Sequence, residues 1–141
     1  MAALSLPCPA EELVPHRSPM RLVDRLIAID GKNGIIEARV DRDSLLTDST
    51  GRLEDVALIE IMAQSYATLK GYLDRRDQLP VRQGFLVGIK KIVRLASVQA
   101  DDLLQVHIRT IAELDDFAVA EGEIRRQDEV VAQGSIKVWI N

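Results

Sequence analysis

Proton transfer near neutral pH calls for carboxylates and imidazoles, and three such residues stand out in this chain. Glu60 lies inside an apolar run, DVALIEIMAQS, Asp55 to Ser65. On a helix it shares a face with Val56 and Ala57 one turn before it and with Ala63 and Gln64 one turn after. An unpaired carboxylate is costly to bury, so Glu60 must be paired, protonated or facing a cavity. Three readings follow: a narrow solvent stripe shared with Gln64, an ion pair with one of the arginines, or a carboxylate poised in a cleft as general acid or base. His16 sits in PHR, in a loop stiffened by Pro15 and Pro19. His107, in LLQVHIRT, alternates with Gln105 and Arg109 and reads as a surface histidine on an outward strand face. Two histidines this far apart, with no cysteine cluster, give no metal signature. Cys8 is the single cysteine. It has no obvious base beside it and reads as packing, and alone it excludes an internal disulfide.

The elements that must position these residues can be read from pattern. Leu53 to about Tyr72 is the one long helix expected. Carboxylates at Glu54 and Asp55 suit its first turn, Arg75 and Arg76 suit its end, and apolar residues on nearly every side predict burial on most faces. Prolines at 7, 9, 15 and 19 keep the start extended or in turns, with one helical turn at AEELV. RLVDRLIAID, GKNG and GIIEARVD read as strand, turn and strand, and Asp41 to Arg52 as a loop. After Pro80, GFLVGIKKIVRL, DLLQVHIRTIAEL, FAVAEGEIRRQ and VVAQGSIKVWIN read as four strands, the last three joined at LDD and RQDE. Two strands, a buried helix and four strands predict an α+β fold: an antiparallel sheet of about six strands wrapped around one central helix.

Composition narrows the function classes. The 141 residues suit a single domain, with 47% hydrophobic residues for its core. A net charge of −4 and only 4% aromatics argue against nucleic-acid binding. No apolar run reaches the length of a membrane span, and MAALSLPCPAEEL lacks the basic start of a signal peptide. A cytoplasmic setting is the simplest expectation.

LVPHRSPMRLVDRLIAID followed by ALIEIMAQS resembles the hot-dog-fold 3-hydroxyacyl-acyl-carrier-protein dehydratases of the FabZ type. The likeness continues through GFLVGIKKIVRLASVQADDLLQVHI and covers Val14 to Ile140. It implies that Glu60 is catalytic and that Gln64 helps arrange the site. It also implies that the amides of Asp55 and Val56 hold the thioester carbonyl, a role that suits a helix N-terminus. The family's catalytic histidine, in a GHFPG-type loop before the helix, has no counterpart in DSLLTDSTGRLED. PHRSPM, a Thr-Asp-Ser loop and IEIMAQ narrow the resemblance to the ApeP-type dehydratase-like proteins of aryl-polyene gene clusters. These are implied to pair with a second hot-dog subunit that keeps the histidine.

The resemblance implies elimination of water from a 3-hydroxyacyl thioester of acyl carrier protein or coenzyme A. No cofactor is expected beyond the 4'-phosphopantetheine arm that the substrate carries. Burial would favour the protonated, acid form of Glu60. His16 is the alternative candidate for the missing base. Gly88 reads either as room for the acyl-pantetheine arm beside the helix or as a bulge. Asp48 reads as a turn residue or a group orienting a water. Arg75, Arg76, Lys90, Lys91 and Arg94 are candidates for attracting an acidic carrier protein, and Trp139 reads as core or dimer packing. The strand bearing GFLVGI is expected to pair across a homodimer or heterodimer. Two other functions stay open: a non-catalytic hot-dog partner subunit, and a hot-dog acyl thioesterase.

Overall fold

A computed structural model describes residues 5–80 and 84–140, without the side chains of 84–87, 89 and 90. The elements run β1 (Cys8–Pro9), a 3-10 turn (Ala10–Glu12), β2 (Arg25–Asp30), β3 (Asn33–Arg39), α1 (Asp55–Arg76), β4 (Gly84–Arg94), β5 (Leu103–Leu114), β6 (Phe117–Arg126) and β7 (Glu129–Ile140). All pairings are antiparallel, in the order β1-β2-β3-β5-β6-β7-β4. The α+β expectation holds, with a seventh strand, the two-residue β1, added to the predicted six. The expected helical turn in AEELV is the 3-10 turn.

Alternation builds the sheet. Along β5, Leu104, Val106 and Ile108 are buried, while Leu103, Gln105 and Arg109 face out. The sheet curves around α1, which buries Leu58, Met62 and Leu69 in the common core. Burying each such side chain stabilises the fold by about 2 kcal/mol. Close approach calls for glycine at several points, two of which set the helix. A Cβ at Gly122 would press on the Met62 side chain, and one at Gly71 would collide with the Leu13 carbonyl. The sheet and the N-terminal segment therefore grip opposite parts of the helix.

β2 starts later than the alternation of RLVDRLIAID predicts. The Leu22 N–H donates to the Gln64 side chain and the Met20 carbonyl accepts from it, so this stretch is pinned to the helix rather than the sheet. Residues 41–53 form the expected loop. Asp48 Oδ1 accepts from the Thr50 N–H at 2.9 Å, the Thr50 hydroxyl at 2.6 Å and the Arg52 N–H at 3.1 Å. These bonds, led by that from the Thr50 hydroxyl, hold its carboxyl below the ordinary range. Asp48 is thus a turn residue.

Candidate active site

One side of α1 is not covered by the sheet. Val56 is 55% exposed, and Ile59, Glu60, Ala63 and Ala67 are half-buried along the same stripe. The burial expected on most faces of the helix holds, and this stripe is the exception. The apolar residues that suggested a core position around Glu60 belong to a face this chain leaves open, and the Glu60 side chain keeps 40% of its exposure.

Gln64 explains how Glu60 is held. Its side chain is 1% exposed and makes three hydrogen bonds of 2.8 Å. Oε1 accepts from the Leu22 N–H, while Nε2 donates to the Met20 carbonyl and to Glu60 Oε1. The two backbone partners fix which end of the amide is nitrogen. Glu60 Oε1 is held by a neutral donor, and no arginine or lysine among the described residues pairs with Glu60. Of the three readings of Glu60, the ion pair with arginine is not formed among the described residues.

His16 reaches the same carboxylate. Its Nε2 lies 3.9 Å from Glu60 Oε1, and its side chain is 35% exposed. Arg17 secures the loop by donating to the carbonyls of Val14 at 2.7 Å and His16 at 2.9 Å. Sequence reading joined Glu60 and Gln64. It missed Arg17 and the backbone of Met20 and Leu22, because a backbone group leaves no signature in sequence.

The helix start lies on the same stripe. Glu54 caps α1 without a side-chain hydrogen bond, and the Ala57 N–H turns back to the Glu54 carbonyl at 3.0 Å. The amides of Asp55 and Val56 open the helix, where N–H groups lack partners within it. Arg94 Nε meets Asp55 Oδ1 at 2.8 Å, and Arg52 lies 3.8 Å from the same oxygen.

Other sequence candidates fall elsewhere. Gly88 pairs with Lys137, whose neighbours Ile136 and Val138 are buried, so this pair faces away from the helix. A Cβ at Gly88 would meet Lys137 Cβ at an ordinary 3.8 Å, and register shifts lie on both sides of it. The bulge accounts for Gly88; the room it leaves is not beside α1 within this subunit. Arg75 and Arg76 end the helix that starts beside Arg94, about 30 Å away at 1.5 Å per residue. Lys91 lines the outer face of the sheet, and the Lys90 side chain lies outside the described residues. The basic residues thus form no single patch.

Trp139 is 40% exposed, so of its two readings, core or dimer packing, the core one does not hold. Cys8 is buried beside Glu12, and burial first, then Glu12, pushes its thiol up, away from the reactive thiolate. His107 does face outward, in a groove of about 660 Å³ with Arg109, Glu121, Glu123 and Arg125. It is half-buried, and burial followed by Arg125 pushes its imidazole down.

An antiparallel sheet curled around one helix is the hot-dog fold, here with a helix carboxylate open on the uncovered side. The chain belongs to the ApeP-like family, described as ApeP dehydratase, which it matches over residues 8–141. That family makes it a dehydratase or a subunit of one. It is 29% identical over 135 residues to the 3-hydroxyacyl-[acyl-carrier-protein] dehydratase FabZ of Methylobacterium sp. (strain 4-46), covering 89% of this chain and 79% of that protein. It is 28% identical over 134 residues to the FabZ of Natranaerobius thermophilus, covering 89% and 90%. In fold it matches a chain of the dehydratase heterocomplex ApeI:P from Xenorhabdus doucetiae, with a TM-score of 0.88, 22% identity, and 94% and 91% of the two chains covered. No helix among the described residues is long and apolar enough to cross a membrane.

Proposed function

We propose that this chain supplies the acid half of a composite dehydratase site and that a second hot-dog subunit supplies the base. The observation that carries this reading is Glu60: held by a neutral amide, unpaired with any described cation, and open on the uncovered stripe of α1. The substrate is a 3-hydroxyacyl thioester on the pantetheine arm of an acyl carrier protein in the cytoplasm. The partner's base takes the C2 proton, the C2–C3 double bond forms and the C3–O bond breaks. Glu60 gives its proton to the departing hydroxyl, which leaves as water. The amides of Asp55 and Val56 receive the charge that develops on the thioester carbonyl oxygen.

Two observations support the second subunit. The loop before the helix is an Asp48-centred turn without a histidine. Val56, Ile59, Ala63 and Ala67 leave an apolar stripe around Glu60 that a partner would cover and dry. Similarity to a chain of a dehydratase heterocomplex points the same way.

The test is dehydration of a 3-hydroxyacyl carrier protein, read as loss of water by mass spectrometry. The chain is assayed alone and with a histidine-bearing hot-dog partner. Turnover is expected only in the mixture. Full turnover by the chain alone would overturn the composite site.

A further inference from the structure

The two nitrogens of His16 have different surroundings. Nδ1 is buried with no hydrogen-bond partner among the described residues, whereas Nε2 faces the Glu60 carboxylate. A neutral imidazole acting as base through Nε2 must carry its hydrogen on Nδ1, and such imidazoles are oriented by an acceptor there. At His16 that tautomer would bury an unmatched N–H. The other tautomer leaves no hydrogen on the buried nitrogen and aims Nε2–H into the gap between the imidazole and Glu60.

Resting on the dehydratase reading above, we propose that His16 donates a hydrogen bond from Nε2 to the departing 3-hydroxyl oxygen and does not replace the missing loop histidine as base. The 3.9 Å between Nε2 and Glu60 Oε1 is too long for a direct hydrogen bond. It is wide enough for one oxygen atom about 2.8 Å from each group. Glu60 supplies the proton; His16 keeps its own and stabilises the oxygen as the C3–O bond lengthens.

The experiment compares His16→Gln, His16→Asn, His16→Ala and Glu60→Gln in the complex with its histidine-bearing partner. Thermal melting of each complex is recorded beside kcat and KM. Gln can place an amide N–H near Nε2 but cannot take a proton, and Asn places its amide near Nδ1, short of the site. His16→Gln should keep kcat within about threefold, whereas His16→Asn and His16→Ala should lose about tenfold or more in kcat with KM little changed. Equal losses of about a hundredfold in all three His16 variants, with melting unchanged, would make His16 the base and overturn the inference. No loss in any of them would also overturn it. Glu60→Gln separates the two levels of the account: full activity there sinks the dehydratase role itself, whatever His16 does.

Discussion

His16 and His107 each lie half-buried within reach of glutamates, one beside the open helix stripe and the other on the outer face of the sheet. The outer face has a groove of about 660 Å³, but its glutamates are taken: Arg109 pairs with Glu121, and Arg125 with Glu123. Guanidinium pairing keeps a carboxylate ionised and occupies its oxygens. Glu60 has a neutral amide on one oxygen and an imidazole nitrogen 3.9 Å away, with no described arginine or lysine locking it. A proton-transfer site is recognised by what its carboxylate lacks as much as by cavity size.

Substitutions can break that contrast. Glu60→Gln should have the largest effect, lowering kcat of the assembled complex by a hundredfold or more, with a circular dichroism spectrum like the parent's. Replacing Gln64 by Leu should come next. It strips the donor from Glu60 and leaves the Leu22 N–H and Met20 carbonyl without their partner, so stability should fall by about 1–3 kcal/mol in urea. Loosening Glu60 should also lower kcat by about tenfold. A stable and fully active Gln64→Leu would show that the three hydrogen bonds do not hold the site.

The outer-face histidine should matter only for stability. The imidazole of His107 is pushed down by burial and Arg125, against the opposing pull of Glu123. The unfolded chain therefore binds a proton that the folded chain resists as pH falls through about 6.5, and stability drops with it. His107→Gln should flatten the melting temperature between about pH 8 and pH 5 and leave dehydration unchanged. The smallest effect belongs to Asp48, fully exposed and held below the ordinary carboxylate range by its turn hydrogen bonds. Its contribution is present above that range and lost as pH falls through the folded value. The melting difference between parent and Asp48→Asn should therefore shrink in acid.

Much of this architecture was legible in the sequence because period and punctuation agree. Alternation with turn residues placed β3, β5, β6 and β7, and the apolar run with terminal charges placed α1 within a few residues of Asp55–Arg76. What stayed hidden depends on which surfaces meet. Val56, Ile59 and Ala63 look like core residues in sequence, yet they form the uncovered stripe, because composition does not tell an open apolar face from a packed one. The outward position of His107 was readable from alternation, but its half-burial depends on neighbouring strands. For Trp139 and Gly88 two readings each were open, and the register of β4 with β7 decides between them by setting the face they occupy. Glu60 and Gln64 were found because a helix spacing of four is local. His16 joins them only through a loop pinned by the Met20 and Leu22 backbone.

The most direct test of Glu60 as the acid is a change of leaving group. The complex carrying Glu60→Gln would be given a 3-hydroxyacyl carrier protein and its 3-chloro analogue, whose chloride departs without a proton. Enzyme-accelerated elimination is measured over the uncatalysed background. The account predicts that the variant fails on the hydroxyl substrate and recovers near-parental rates on the chloride. Equal loss on both substrates, or no loss on the hydroxyl substrate, would contradict it.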